Sequence, residues 1–342
     1  MPLPMTDIKT TRAVIKSGTD PGHDGLAPGF EEYRSELVGY CYRMLGSAFE
    51  ADDAVQETMV RAWRGFDGFE GRAAVRSWLY RIATNVCIDM LRGRQRRARP
   101  MDLGPAVSGA SEPGPTQRTE AWIEPIPGAS RGSGSDDPAE LIVSRESIRL
   151  AFVAALQHLP PRQRAVLILR EVLNWKASEV AELLGGTVAS VNSALQRARS
   201  TLAASDLSES EPGRSLDESD GELLARYVDA FQRYDMESLT ALIHEDATQS
   251  MPPYTMWLQG RSDIFAWWTG PGAGCRGSRL IPTTANGATA FGQYKPSTSG
   301  GGYDPWAIQV LEISGGRIVD ITFFLDTARL FPLFGLPLHL DA

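Results

Sequence analysis

Apolar residues recur at every third or fourth position along three stretches between residues 30 and 99, which is the spacing of an amphipathic helix. The third stretch runs into a basic tail that ends at Arg99. Because only short loops separate the stretches, we expect neighbouring helices to pack antiparallel. Residues 1–28 lack this period and are rich in Gly, Pro, Asp and Thr, which predicts a disordered arm.

Residues 100–138 break the pattern because Pro, Gly, Ser and Ala dominate them, which predicts a linker. One apolar island, the hexapeptide at residues 122–127, interrupts this segment, and its prolines restrain its backbone. We interpret it as a docking peptide.

Helical spacing returns over residues 139–203. Pro161 suits the first turn of one helix in this segment. A later helix ends at a Gly185-Gly186 turn, and Thr187 is a candidate N-cap for the helix that follows. Two helices joined by so short a glycine-containing turn predict a helix-turn-helix.

The period changes beyond a second linker at residues 204–218. Helices over residues 223–231 and 239–244 precede four runs with the pattern of strands. These runs are residues 279–284, 288–294, 306–313 and 317–325. Asn286-Gly287 and Gly315-Gly316 lie between strand pairs and are hairpin signals. Helices followed by antiparallel strands predict an α+β domain.

Composition narrows the class of protein. The chain has 342 residues, of which 42% are apolar, enough for two or three domains. Its apolar runs are shorter than the ~18 residues of a membrane span, and its start lacks the apolar core of a secretory signal. We therefore expect a cytoplasmic protein without membrane contact. Three separated cysteines and four scattered histidines predict neither a disulfide framework nor a metal site.

The formal net charge of −8 conceals an asymmetry along the chain. Residues 204–342 contain nine basic and 18 acidic side chains, whereas the helical segments at residues 1–100 and 140–203 have a slight basic excess. A polyanionic partner is consistent with the basic segments, and a solvated surface gives similar numbers.

The last helix of the helix-turn-helix has the polar surface that a DNA-recognition helix needs. Its predicted buried stripe consists of Val188, Val191, Ala194, Leu195, Ala198 and Leu202. The opposite face presents Ser190, Ser193, Gln196, Arg197 and Ser200. Short polar side chains bind base edges in the major groove, and arginine binds guanine or phosphate. An ordinary solvated helix shows the same pattern, so spacing alone leaves both interpretations open.

A second candidate nucleic-acid surface lies on the helix that precedes the basic tail. Arg76, Arg81, Asn85 and Arg92 are predicted to share its polar face, after a Gly-rich loop at residues 65–75. Separated DNA strands require cations along phosphates, a pocket for an unstacked base and an amide for base hydrogen bonds. A solvated basic face is again the alternative, and periodicity does not decide.

Two runs of sequence resemble a known family. The first run resembles the core of the σ2 domain in extracytoplasmic-function (ECF) RNA polymerase sigma factors, which belong to the sigma-70 family. It reads AVQETMVRAWRGFDGFEGRAAVRSWLYRIATNVCIDMLRGRQRR. The second run resembles the σ4 domain of the same sigma factors. It reads HLPPRQRAVLILREVLNWKASEVAELLGGTVASVNSALQRARSTL. The two runs stand in the family's order with a linker between them. The resemblance implies a promoter-recognition subunit of bacterial RNA polymerase with neither catalysis nor a cofactor of its own.

The resemblance also implies roles for individual residues. The surface that grips the β′ clamp helices of the polymerase corresponds to Asp52, Asp53, Gln56, Glu57, Arg61 and Trp63. The readers of the −10 element correspond to Arg72, Arg76, Arg81, Asn85 and Arg92, together with the loop at residues 65–75. The readers of the −35 element correspond to Thr187, Ser190, Ser193, Gln196 and Arg197. The β flap is the second expected polymerase contact.

Two details limit this correspondence. Trp63 is equally suited to packing inside the domain. Asn192 and Ala194 stand where a basic residue is common in the family. One phosphate contact fewer lowers the log–log salt slope by about one, so we expect a weaker −35 interaction.

The order of elements after residue 218 resembles the SnoaL/NTF2-like cone. MPPYTMWLQG and FLDTARLFPLFGLP resemble the branch of ECF sigma factors that carries such a domain, the SigG-like and SigJ-like sigma factors. Candidate pocket residues are His244, Tyr254, Trp257, Trp267 and Trp268, with Asp246 and Asp263 as charged neighbours. Such a pocket is compatible with a small-molecule ligand. The aromatic residues are more typical of a core than of a pocket, and fold alone does not confer catalysis.

The prediction is a multidomain chain in which two all-α sigma modules, a σ2 helical bundle and a σ4 helix-turn-helix, precede an α+β NTF2-like cone. Its segments are an arm (1–28), region 2 (29–99), a linker (100–138), region 4 (139–203), a linker (204–218) and the cone with its apolar tail (219–342). We expect the cone, the hexapeptide and the tail LFPLFGLPLHL to regulate the sigma modules in cis, although the tail is also suited to closing the cone's own core. Two alternatives stay open: a polymerase-independent one-component DNA-binding regulator, and an NTF2-like enzyme with a DNA-binding appendage.

Overall fold

The computed structural model describes residues 28–66, 69, 74–128, 148–204, 218–298 and 300–342. Most of the predicted arm, of the second linker and of the loop at residues 65–75 lies outside the described residues, and so does Arg72. The described chain forms two compact units. The helical unit contains residues 28–94 and 155–204, and the C-terminal unit contains residues 95–128, 148–154 and 218–342.

The first half of the helical unit has the helices that the apolar spacing predicts. They are α1 (Pro28–Glu31), α2 (Arg34–Leu45), α3 (Ala48–Gly65) and α4 (Val75–Leu91). Gly46 ends α2 with a φ of 72°, a left-handed conformation that glycine adopts without strain. Ser47 then caps α3, because its Oγ accepts a hydrogen bond from the backbone N–H of Glu50 at 3.2 Å.

The second half of the helical unit contains the predicted helix-turn-helix. Its helices are α5 (Leu150–Gln157), inside which the two units divide, α6 (Pro161–Leu167), α7 (Ala177–Leu183) and α8 (Val188–Ala204). A π-helical turn, Ile168–Val172, continues α6. Thr187 caps α8, because the Ser190 N–H donates to its Oγ1 at 3.1 Å and its own N–H donates to the Ser190 Oγ at 3.1 Å.

A buried arginine joins the two halves of the helical unit. Arg164 in α6 is 4% exposed. It donates to the Gln157 Oε1 at 2.6 Å, to the carbonyl oxygens of Gln157 and Leu159 at 3.1 Å each, and to the carbonyl of Met44 in α2. Burial lowers the pKa of Arg164 to about 10, because these dipoles replace only part of its hydration. The two halves therefore share one core.

The C-terminal unit is built on a six-stranded sheet in the order β2-β1-β6-β5-β4-β3. The strands are β1 (Ile243–Ser250), β2 (Trp257–Gln259), β3 (Arg279–Ala285), β4 (Ala288–Pro296), β5 (Tyr303–Ser314) and β6 (Arg317–Phe324). Strands β1 and β6 are parallel and the other neighbours are antiparallel. The four predicted strands are confirmed as β3 to β6, and both predicted hairpin turns lie between them.

Helices complete the C-terminal unit. They are α9 (Glu218–Arg233), α10 (Met236–Ala241), α11 (Arg261–Thr269) and α12 (Thr327–Leu333). The prediction of a helix over residues 239–244 was wrong at its end, because β1 begins at Ile243 and pairs with Ile318 of β6. Tyr227, Trp267 and Phe291 belong to one buried cluster between helices and sheet.

Residues 100–128 of the predicted first linker belong to the C-terminal unit and pack on the rest of it. Backbone N–H groups of Gln117 and Gly128 donate to the carbonyls of Pro253 and Thr284 at 2.8 and 2.9 Å. The composition of this stretch predicts a flexible tether. These backbone hydrogen bonds show that the described part of the stretch is ordered.

The docking interpretation of residues 122–127 agrees with the structure. Ile126 accepts a backbone hydrogen bond from the Asn286 N–H at 3.0 Å, and its own N–H donates to the Asn286 Oδ1 at 3.1 Å. The Arg329 Nη1 donates to Glu124, which is only 5% exposed, at 3.0 Å. The hexapeptide is thus held by backbone bonds and by a partly buried ion pair.

The apolar tail closes on its own unit. The ring of Phe331, fully buried, lies 5.1 Å from the ring of Tyr294, whose hydroxyl donates to the carbonyl of Pro337 at 2.8 Å. Tyr303 and Leu340 exchange two backbone hydrogen bonds of 2.8 and 3.0 Å. Of the two interpretations of the tail, closure of the cone's own core is the one that these contacts favour.

Candidate functional site

The exposed face of α8 presents Ser193, Gln196 and Arg197 to solvent. Thr187 and Ser190 at its N-terminus are exposed too, but their hydroxyls already take part in the cap, where the Ser190 Oγ donates to the Thr187 carbonyl at 2.7 Å. A cation and two short polar side chains along one helix face match the donors and acceptors of base edges and phosphates.

Val188 was predicted to be buried, and this prediction was wrong. The apolar pattern places it in the buried stripe of α8, whereas its side chain is 44% exposed. Residues 185–190 are all exposed, so the first turn of α8 has no packing surface within the described residues that would cover Val188.

The predicted polar face of α4 was wrong in one residue. Arg76 does not share a face of α4 with Arg81, Asn85 and Arg92. At about 100° per residue, Arg76 lies about 140° from Arg81 and about 180° from Asn85 around the helix. Its Nε and Nη2 donate to the carboxylate of Glu36 in α2 at 3.0 and 2.8 Å. Burial alone would lower the pKa of Arg76, but the bonds and charge of Glu36 raise it above its ordinary value.

The second half of the helical unit lies against α4. The rings of Tyr80 and Trp175 are 5.0 Å apart, and the guanidinium of Arg76 lies 5.4 Å from the centroid of each. The Arg81 Nη2 is 4.0 Å from the Glu182 Oε1 in α7. A candidate DNA-reading surface therefore contacts protein groups of the same unit.

The far end of α4 is more open. Asn85 is exposed, and so is Arg92, whose side chain is 77% exposed and whose Nη1 lies 3.3 Å from the Asp89 carboxylate. An ion pair so exposed contributes little stability, about 0–1 kcal/mol, so DNA phosphates can replace Asp89 as the partner of Arg92 at small cost.

The polar side of α3 combines carboxylates with an exposed aromatic residue. Asp53 is exposed, the Gln56 Nε2 donates to the Asp52 Oδ2 at 2.8 Å, and the Arg61 Nε donates to the Glu57 Oε1 at 2.6 Å. The side chain of Trp63 is 58% exposed, which argues against the interpretation that it packs inside the domain. An exposed tryptophan beside charged residues is typical of a protein interface.

The C-terminal unit encloses a cavity of about 190 Å³. Its aromatic lining consists of Phe231, Tyr234, Tyr254, Trp267, Trp268, Trp306 and Phe323. Three of the predicted pocket residues, Tyr254, Trp267 and Trp268, are among them. Glu112 and Pro113, from the first linker, also line it.

The other predicted pocket residues lie elsewhere. The Trp257 Nε1 donates to the Gly104 carbonyl at 2.8 Å, and the Asp263 Oδ1 accepts from the Gly109 N–H at 2.8 Å. Both side chains hold the linker residues 104–117, called the strap below. The His244 Nδ1 accepts from the Asp246 N–H at 3.2 Å, and neither residue lines the cavity.

The cavity also contains polar groups that the sequence did not predict. Lys295 in β4 places its Nζ 3.1 Å from the centroid of the Trp306 ring, and burial lowers its pKa although the neighbouring Cys275 opposes the shift. The buried Gln249 accepts from the Trp268 Nε1 at 2.9 Å. One signal was available: Lys295 is the single lysine after residue 176.

None of the described helices combines the length and apolarity needed to cross a bilayer. Within the same residues, no group of three or more His, Cys, Asp or Glu is arranged to hold a metal ion.

Three protein families match successive parts of the chain. Residues 30–97 match Sigma-70 region 2, residues 149–202 match Sigma-70 region 4, and residues 224–321 match the SnoaL-like domain. The two sigma matches fall on the first and second halves of the helices described above, and the third falls on the unit that contains the cavity.

Individual relatives extend these matches. The ECF RNA polymerase sigma factor SigG of Mycobacterium tuberculosis (strain H37Rv) is 44% identical over 332 residues, covering 94% of this chain and 87% of the relative. The ECF RNA polymerase sigma factor SigW of Bacillus subtilis (strain 168) is 28% identical over 188 residues, covering 55% of this chain and 92% of the relative. The crystal structure of the M. tuberculosis ECF sigma factor SigJ has a TM-score of 0.58 at 21% identity, covers 91% of this chain and 99% of that one, and shows the fold alone.

Proposed function

Because the chain belongs to the ECF family of RNA polymerase sigma factors, we propose that α8 reads the −35 element of its promoters and that α4 reads the −10 element. Members of this family are non-enzymatic transcription initiation factors that bind core RNA polymerase and promoter DNA. The observation that carries the residue assignment is the open polar face of α8, with Arg197 at its centre, on a capped helix-turn-helix.

At the −35 element, α8 enters the major groove with its capped N-terminus first. Ser193 and Gln196 bind base edges, and Arg197 binds guanine or a phosphate. Thr187 and Ser190 contribute chiefly by holding the first turn, since their hydroxyls are used in the cap.

At the −10 element, Asn85 and Arg92 contact the separated strands directly because both are exposed. Arg81 joins them when it exchanges Glu182 for a phosphate. Arg76, and Arg72 of the loop at residues 65–75, complete the set that the family resemblance implies. Each base that stacks or enters a pocket contributes about 1–3 kcal/mol toward melting the duplex.

The polar side of α3 is the proposed contact with the β′ clamp helices, since its carboxylates complement a coiled coil with basic groups and Trp63 supplies an apolar anchor. The helix-turn-helix contacts the β flap. The C-terminal unit regulates these contacts in cis, its cavity takes a small-molecule ligand, and the protein acts in the cytoplasm, where bacterial transcription takes place.

Transcription in vitro tests this function. Core RNA polymerase is supplied with the full-length protein and a library of promoter-sized genomic fragments, and the 5′ ends of the transcripts are sequenced. We expect start sites that share two short elements at a fixed spacing and that disappear when the protein is left out. Transcripts that are identical with and without the protein would refute the proposal.

A further inference from the structure

The cavity of the C-terminal unit has the size and lining of a binding site for one small aromatic molecule. An apolar cavity of about 150 Å³ holds benzene, so the 190 Å³ found in this unit accommodates an aromatic ring with a short side chain. Phe231, Trp267, Trp268 and Trp306 supply ring faces and edges to such a ligand.

The charge inside the cavity selects the sign of the ligand. Lys295 lines the cavity, and no carboxylate among the described residues forms a salt bridge with it. A half-buried ammonium without a counter-ion gains a charge-assisted hydrogen bond when a carboxylate enters. A cation is disfavoured, because Lys295 already occupies the face of Trp306 and would repel it.

The strap limits the number of charges on the ligand. Glu112 and Pro113 line the cavity from the strap, whose course is set by the bonds of Trp257 and Asp263 to Gly104 and Gly109. Glu112 is exposed, so it places a negative charge at the rim. A second anionic group on the ligand would meet that carboxylate, which favours a monoanion.

We propose that the cavity binds a small aromatic monocarboxylate, whose ring lies among the tryptophans and whose carboxylate accepts a hydrogen bond from the Lys295 Nζ. This deepens the ligand-binding part of the proposed function and rests on it. Because Glu112 and Pro113 of the strap line the cavity, a bound ligand also contacts and stabilises the strap, which is part of the chain between the two sigma regions.

Isothermal titration calorimetry on the full-length protein tests the proposal with three probes of matched shape: 3-phenylpropionate, 3-phenylpropionamide and 3-phenylpropylammonium. We expect the carboxylate to bind about tenfold tighter than the amide, and the ammonium to bind weakest. In Lys295→Met the carboxylate loses this advantage over the amide. The control Lys176→Met removes a lysine of the helical unit and keeps the advantage.

A second variant keeps the test decisive if Lys295→Met does not fold. Glu112→Gln changes an exposed side chain, and we expect it to tighten binding of the carboxylate a few-fold while the affinity of the amide stays the same. Equal affinities for the three probes, a preference for the ammonium, or no binding at millimolar concentration would overturn the proposal. These readouts involve neither polymerase nor DNA, so their failure is distinct from failure of the sigma-factor function.

Discussion

The two candidate DNA-reading helices differ in what their side chains contact within the protein. On α8 the candidate readers Ser193, Gln196 and Arg197 are exposed, and among the described residues no salt bridge engages Arg197. On α4 the cations have protein partners: Arg76 pairs with Glu36, and Arg81 approaches Glu182.

This difference indicates two modes of recognition. The proposed −35 surface on α8 is already open, so DNA binding there is expected to require little rearrangement. On the proposed −10 surface Asn85 and Arg92 are open as well, whereas Arg81 has to leave Glu182 before it binds DNA. Because an exchanged contact opposes binding, we expect DNA binding by the proposed −10 surface to respond more strongly than that of α8 to changes in the protein.

The substitution with the largest expected effect disturbs the core on which both surfaces depend. In Arg164→Met the carbonyl oxygens of Gln157 and Leu159 lose a buried donor, so we expect the free energy of unfolding to fall by about 2–4 kcal/mol. Urea unfolding followed by circular dichroism measures it. Arg162→Met is the matched control, because Arg162 donates to the Leu184 carbonyl from an exposed position. Equal losses in both variants would show that the two halves do not depend on a shared core.

Arg197→Ala breaks the comparison on the α8 side. Loss of one base or phosphate contact of about 1–3 kcal/mol should lower transcription from a −35-dependent promoter about 5- to 150-fold. The promoter comes from the fragment library described above, and run-off transcripts are quantified. Arg199→Ala is the control on the same helix, since Arg199 pairs with Glu171. Unchanged open-complex formation in Arg197→Ala would contradict the assignment of α8.

Trp63→Ala separates polymerase binding from DNA reading. Truncating an exposed aromatic anchor at an interface typically costs about 1–2 kcal/mol, so we expect affinity for core polymerase to fall about tenfold. Fluorescence anisotropy of the labelled protein titrated with core polymerase measures it. Leu338→Ala is the control, because both side chains are 58% exposed. If the two variants bind alike, α3 is not the polymerase contact.

The smallest expected effect sharpens the comparison on the α4 side. Glu182→Gln removes the charge near Arg81, and exposed pairs contribute about 0.2–1 kcal/mol, so affinity for a single-stranded −10 oligonucleotide should rise about twofold. Asp229→Asn makes the same charge change in the C-terminal unit and serves as the control. A rise of the same size in both variants would assign the effect to net charge alone.

Local periodicity predicted much of this fold. The helices of the helical unit, the cap at Thr187 and strands β3 to β6 all appear where the pattern places them, because each depends on neighbours close in sequence. Strand β1 was not predicted, because His244, Glu245 and Asp246 interrupt the alternation of apolar and polar residues. The order of residues 98–128 escaped because it arises from bonds to strands more than 100 residues away.

The candidate site was predicted less well. Arg76 was predicted to share a face with Arg81, although the helical spacing alone places it about 140° away around α4, where it meets Glu36. The position of Lys295 in the cavity became apparent only from the fold, in which β4 places it beside Trp306. Which charges meet, and which remain without a partner, depends on tertiary contacts that no local pattern contains.

Binding to core RNA polymerase tests the central claim most directly. Sedimentation velocity of the full-length protein mixed with bacterial core polymerase, with a housekeeping sigma factor as the positive control, gives the stoichiometry and the affinity. We predict a one-to-one complex that the housekeeping sigma factor displaces by competition. A preparation of core polymerase that binds the housekeeping factor and leaves this protein free would contradict the account.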